Sequence, residues 1–140
     1  MSIWRGVHTL ESMNAGNAHT MMRLLDIVFT EIGEDFIRGT MPVNERTHQP
    51  YGLLHGGASV ALAETLGSMG ASMCVDQTRY RCLGQEINAN HVRSVRTGFV
   101  TGTARPLHIG GRSQVWSIDI TNETGELVCV SRLTMAVLRT

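Results

Sequence analysis

The run His48-Gln49-Pro50-Tyr51-Gly52-Leu53-Leu54-His55-Gly56-Gly57-Ala58 leads directly into Ser59 to Val75, an apolar stretch rich in Ala, Gly, Met and Leu. The first part reads as a loop and the second as one long helix, with strand-like sequence on either side. On a 3.6-residue wheel Leu62, Leu66, Met69 and Met73 form one stripe. Gly57, Val60, Gly67 and Ala71 take the other side, with Glu64 and Ser68 between them. A helix without a charged face is buried all round. One side is therefore expected on a sheet, and the small-residue side against something else, such as a second subunit.

Between Gly56 and Val75 the one ionisable carboxylate is Glu64, and no Lys, Arg or His stands beside it at helical spacing. Burial of a lone carboxylate is costly unless it is paired, hydrogen-bonded or protonated. Either Glu64 forms a salt bridge elsewhere in the fold, or it is a chemical tool. The loop upstream favours the tool. His55-Gly56-Gly57 opens the helix with bare backbone N–H groups, which together with the helix dipole make an oxyanion site. Glu64 follows Gly57 by about two turns along the same side, and Ser68 comes one turn later. An oxyanion donor, a base or nucleophile and a hydroxyl thus share one edge.

The chain has 140 residues, 17% of them charged, and a formal net charge of zero. It reads as one domain, residues 1–140, large enough to bury a core without cross-links. With no basic block to neutralise phosphates, nucleic acid is not an expected partner. Cys74, Cys82 and Cys129 make neither a CxxC pair nor an even set, so neither a disulfide framework nor a zinc site is indicated. There is no signal-peptide pattern, and no membrane span, because polar residues interrupt every apolar run. The expected setting is soluble and cytoplasmic.

The flanking chain reads as follows. Thr9 to Ala15 offers a short helix capped by Thr9, and Ala18 to Leu24 a second short turn. Leu25 to Ile32 and Phe36 to Val43 form a hairpin, with Ile37, Gly39, Met41 and Val43 on one face. Asp76 to Arg81 is a polar connection, and Leu83 to Val92 a strand with Ile87, Ala89 and His91 on one face. Phe99 to Pro106 is the next strand, Leu107 to Arg112 a Gly-rich corner, and Gln114 to Thr121 a strand with Trp116, Ile118 and Ile120 aligned. Asn122-Glu123-Thr124-Gly125 turns into a last strand, Glu126 to Leu138. The fold class is α+β: two strands, one long helix, then about four strands in a meander, with a single antiparallel sheet curled around the helix.

That architecture, with the string QPxGLLHGGxSxxLAExxGS from Gln49 to Ser68, resembles the hotdog fold. Within it the chain resembles the acyl-CoA thioesterases of the phenylacetate-pathway, enterobactin-proofreading and 1,4-dihydroxy-2-naphthoyl-CoA type. The likeness runs from Ile3-Trp4 through Ile87-Asn88-Ala89-Asn90-His91 to Ser131-Arg132-Leu133-Thr134. It implies that Glu64 is the catalytic carboxylate, as nucleophile or general base. The Gly56 N–H, helped by Gln49 or His55, would polarise the thioester carbonyl, and Ser68 would help place water. Gly84, the run His91-Val92-Arg93-Ser94 and the run His108-Ile109-Gly110-Gly111-Arg112-Ser113 match positions that contact coenzyme A. Arg93 and Arg112 suit phosphates, and Gly110-Gly111 leave backbone N–H groups accessible. Gly111 stands where relatives often have Ser.

The resemblance further implies a site shared between subunits, with Gln49 and His55 from one and Glu64 from the other, in a homodimer or homotetramer. The substrate would be an acyl-CoA, an aromatic one foremost, or the thioester of an acyl or aryl carrier protein. No metal or separate cofactor is required, coenzyme A being part of the substrate and a thiolate a fair leaving group. Met21, Met22, Leu24, Leu25, Tyr51, Met69 and Met73 would wall the acyl pocket. Two other readings use the same residues: a hotdog dehydratase or hydratase working through His55 and Glu64, and an acyl-CoA-binding regulator without hydrolysis.

Overall fold

A computed structural model describes Met1–Thr140. Its elements are α1 (Leu10–Ala15), α2 (Met21–Leu24), β1 (Val28–Ile32), β2 (Ile37–Pro42), α3 (Gly56–Met73), β3 (Tyr80–His91), β4 (Phe99–Ile109), β5 (Ser113–Thr121) and β6 (Leu127–Arg139). The strands form one antiparallel sheet in the order β1-β2-β4-β5-β6-β3, and α3 packs against β2, β3, β4, β5 and β6. The expected α+β architecture is therefore present.

The expected four-strand meander is corrected. β4, β5 and β6 follow one another, but β3 pairs with β6 at one edge while β4 pairs with β2. The 18 residues of α3 extend about 27 Å, enough to follow most of the length of a 12-residue strand. α3 runs alongside β3 in the opposite sense, with Gly56 beside His91, Glu64 beside Gly84 and Ala71 beside Cys82, so the chain leaves the helix next to the start of β3.

Helix and sheet interlock through glycines on both partners. Leu66 lies over the paired Gly39 and Gly102 of β2 and β4, where an added Cβ would stand 2.8 Å and 2.6 Å from its methyl groups. In return, a Cβ on Gly67 would meet Leu133 at 2.6 Å, and one on Gly70 the Trp116 ring at 2.7 Å. Gly67 and Ala71 thus face the sheet, not a second partner as the helical wheel implied. Met69, placed on the apolar stripe, lies instead on the open side of the helix, beside Glu64, Thr65 and Ser68. Packing overrides the wheel here because a glycine contributes little to an apolar stripe yet permits the closest approach.

Trp116 is fully buried, stacks on Trp4 with ring centroids 6.2 Å apart, and donates its indole N–H to Gln114 Oε1 at 2.9 Å. Gln114 donates in turn to the carbonyl of Ala71 on α3, at 3.2 Å. β4 continues past Pro106 to Ile109, where the sequence predicts its end, because a bulge between Pro106 and His108 absorbs the proline. The predicted corner shrinks accordingly to Gly110–Arg112.

Candidate active site

The helix begins three residues earlier than expected, at Gly56, and its cap explains the geometry of the loop. His55 Nδ1 accepts the N–H of Gly57 at 2.7 Å, and the His55 carbonyl accepts those of Ala58 and Ser59 at 3.0 and 3.2 Å. One N–H of the first turn remains without a helical acceptor, that of Gly56. Its surroundings are tight, since a Cβ on Gly56 would stand 2.8 Å from His91 Nε2. With Nδ1 accepting, the neutral His55 ring carries its proton on Nε2.

Gln49 is held by the loop on both sides. Its backbone N–H donates to Leu53 O at 2.8 Å, and its carbonyl accepts from Gly52 at 2.9 Å, closing a turn in which Gly52 has φ +75°. Its side-chain oxygen accepts the N–H of Tyr51, which leaves the amide NH2 as the outward donor. Leu54 N–H donates to Val95 O, so the loop is pinned to the segment after β3. Gln49, Gly56, His91, Val92, Arg93 and Ser94 consequently line one cavity of about 380 Å³.

Glu64 and Ser68 face a different cavity. It has a volume of about 700 Å³ and lies along the open side of α3, with Gly57 at one end. Its apolar wall is Met21, Met22, Phe29, Val60, Ala61 and Met69, and its polar wall includes Asn17, Thr65, Ser72 and Gln77. Glu64 is half-buried and belongs to none of the chain's ion pairs, so the salt-bridge reading of this carboxylate falls. Ser68 Oγ donates only to the thioether of Met135 at 3.7 Å, a weak acceptor that a water would readily replace.

Gly84 is where β3 meets this carboxylate. A bulge between Gly84 and Glu86 shifts the strand phase, bringing Gly84 onto the helix-facing side along with Ile87 and Ala89. A Cβ at Gly84 would lie 3.1 Å from Glu64 Oε2. Gly84→Ala is therefore expected to displace the carboxylate by a few tenths of an ångström and to lower kcat roughly tenfold. The melting temperature should stay near that of the parent, since the strand edge is exposed. Unchanged kcat in steady-state assays would mean that the carboxylate position is not critical.

Of the other expected coenzyme contacts, the structure brings His91–Ser94 together with Gln49 and Gly56, but sets His108–Ser113 apart. Ile109, Gly110 and Gly111 line a cavity with Arg5, Cys74, Asp76 and Arg79, next to the C-terminal end of α3. Two expectations need correction. The Gly110 N–H is not free: it donates to Ser113 O at 2.9 Å and closes the β4–β5 turn, with the His108 ring against it. Arg93 is paired with Glu126 at 3.3 Å, so a phosphate there must compete with a carboxylate. Arg112 is exposed and in no ion pair.

Leu24, Leu25, Tyr51 and Met73 do not line the Glu64 cavity: Leu24 and Tyr51 lie exposed elsewhere on the surface, and Met73 lies in the core. Asn17, Phe29, Thr65 and Gln77 were not legible as lining residues. His8 and His48 bond to the backbone carbonyls of Arg5 and Arg96, both at 2.7 Å, which gives them local structural roles. Burial pushes the Cys74 thiol up to about 11 and raises Cys82 and Cys129, so these cysteines are neutral and poor nucleophiles at neutral pH. No helix is long and apolar enough to cross a membrane, and no cluster of His, Cys, Asp and Glu able to hold a metal occurs.

Comparison with known proteins agrees with this geometry. The chain is 53% identical over 136 residues to the 1,4-dihydroxy-2-naphthoyl-CoA hydrolase of Escherichia coli, covering 97% of this chain and 99% of that one. It is 51% identical to the proofreading thioesterase EntH of Cronobacter sakazakii, with 97% and 98% covered. Among solved structures, a thioesterase from Pseudomonas aeruginosa carrying the Q49A replacement superposes with a TM-score of 0.98 at 47% identity, covering 99% and 100%. Residues 51–129 match the family model of the thioesterase superfamily. The antiparallel sheet packed on one long helix is thus that of a thioester hydrolase, and the chain belongs to the thioesterase superfamily.

Proposed function

We propose that the protein hydrolyses acyl-CoA thioesters, aromatic ones foremost, to the free acid and coenzyme A. The observation that carries this reading is Glu64: an unpaired, half-buried carboxylate in the wall of an apolar cavity large enough for an acyl group. As general base, Glu64 takes a proton from water as the water oxygen attacks the thioester carbon. As nucleophile, it forms a mixed anhydride, releases the coenzyme A thiolate, and is restored when water cleaves the anhydride. In both routes negative charge develops on the carbonyl oxygen. The Gly56 N–H, the Gln49 amide and the His55 Nε2–H are the donors suited to it, and Ser68 would orient the water.

Gln49 and Gly56 line one cavity of the chain and Glu64 lines another. This favours a site assembled from two subunits, with Gln49, His55 and Gly56 of one facing Glu64 of the other. β3 offers a means of assembly. It is a 12-residue strand at the sheet edge with its outer backbone unpaired and Leu83 exposed. A homodimer is the smallest complete enzyme in this reading, and a homotetramer would be a pair of them. The separation of His91–Ser94 from His108–Ser113 likewise favours contributions from two chains to one coenzyme.

Thiol release from a panel of aromatic and aliphatic acyl-CoAs tests the proposal. Hydrolysis with a preference for aryl esters is the expected result. Retained binding without release from any CoA ester would overturn it in favour of a carrier-protein thioester or an acyl-binding regulator. Arg112→Ala is expected to raise KM for CoA esters severalfold with little change in kcat, since loss of uniform binding leaves the chemical step untouched. An unchanged KM would show that Arg112 does not reach the coenzyme.

A further inference from the structure

Asn17 is an unexplained residue in the wall of the Glu64 cavity. It is 6% exposed, and its Nδ2 is a buried side-chain nitrogen without a hydrogen-bond partner in the chain. Its backbone is firmly placed: the N–H donates to Asn14 O at 3.1 Å, and the carbonyl accepts from Thr20 Oγ1 at 2.6 Å. The neighbouring Asn14 clasps the main chain of β1, accepting from Phe29 N at 2.8 Å and donating to Phe29 O at 2.9 Å. The side-chain amide of Asn17 is therefore held at the cavity wall while its own hydrogen-bonding capacity goes unused.

A buried amide with nothing to bond weakens a fold and is uncommon in native proteins. The cavity wall holds Met21, Met22, Phe29 and Met69, and none of its polar members, Glu64, Thr65, Ser68, Ser72 and Gln77, bonds Asn17 Nδ2. A ligand can. A wholly apolar acyl group would seal Asn17 from water and leave the amide unsatisfied. A hydroxyl, which both donates and accepts, pairs with either end of the amide after rotation about χ2. The methionines adapt to the body of the acyl group, and the amide reads one polar point on it.

We infer that Asn17 is a specificity-determining residue that hydrogen-bonds a hydroxyl substituent on the acyl group. This inference rests on the assignment of the Glu64 cavity as the acyl site of an aryl-CoA hydrolase. A site built to bond a hydroxyl discriminates strongly against the analogue lacking it, because the protein group is then left unpaired.

The test compares benzoyl-CoA with its 2-, 3- and 4-hydroxy derivatives, alongside octanoyl-CoA, in the parent protein, Asn17→Leu and Asn17→Ala. The parent is expected to favour at least one hydroxybenzoyl ester over benzoyl-CoA in kcat/KM by about tenfold or more. In Asn17→Leu that ratio should fall about tenfold, with a melting temperature equal to or above the parent's, because a leucine of similar size removes an unpaired amide. Asn17→Ala should show the same collapse of the ratio. A ratio unchanged in both variants overturns the inference while leaving the hydrolase assignment intact. So does a proportionate loss on all esters with a lowered melting temperature, which would mark a structural asparagine. Hydrolysis of octanoyl-CoA alone would overturn the aryl-CoA assignment and the role of Asn17 with it.

Discussion

Replacing Glu64 by Gln is expected to lower turnover roughly 100-fold or more while leaving the fold and substrate binding in place. The substitution keeps the shape of the side chain and removes only its charge and basicity. Glu64 sits in no ion pair, so no partner is left behind uncompensated. The melting temperature should consequently hold or rise slightly, as a half-buried charge is removed from a mostly apolar wall. Steady-state thiol release and a direct binding measurement on the same ester separate the two effects. Near-normal kcat would remove Glu64 from the chemistry, whatever the outcome for binding.

Trp116→Ala is expected to cost about 3–5 kcal/mol of stability, the usual range for truncating a buried aromatic. The ring fills the space opposite Gly70 and stacks on Trp4, so its loss leaves a hole that neither a glycine nor a stiff neighbouring ring can close. It also strands the buried Gln114 Oε1, which accepts only from the indole N–H, while Gln114 Nε2 still holds Ala71 of α3. A fall of about 10 °C or more in melting temperature follows for a chain of this size. Unfolding should be compared at one fixed protein concentration, because association would add to the apparent stability. A loss below about 1 kcal/mol would mean that the core collapses around the gap.

The elements whose signals are local were legible in the sequence. Thr9 caps α1 by accepting from Ser12 N, the alternation from Ile37 to Val43 gives the inner face of β2, and the turn at Asn122–Gly125 joins β5 to β6. So was the alignment of Gly57, Glu64 and Ser68 along one side of the helix. What escaped depends on distant contacts. The pairing of β3 with β6 joins residues 80–91 to residues 127–139, and strand sequences alone do not state their neighbours. The bulge that turns Gly84 toward Glu64 is a one-residue event in a strand that otherwise alternates normally. Asn17 lies in a short irregular link between α1 and α2, where an asparagine ordinarily signifies only a turn. Its place opposite the helix emerges only when β1 and α3 are assembled.

The interlocked glycines carry a consequence for tolerance to change. Leu66 seated over Gly39 and Gly102, and Trp116 and Leu133 seated in the hollows at Gly70 and Gly67, index the helix against the sheet in both rotation and translation. A slip by one residue would turn Glu64 by about 100° and unseat all three side chains from their glycines. The position of Glu64 is thus set by contacts in the interior of the protein and not by the loops around it. Asn17, Met21 and Met22 reach the same cavity from outside this frame, so their side chains can change while Glu64 stays in place.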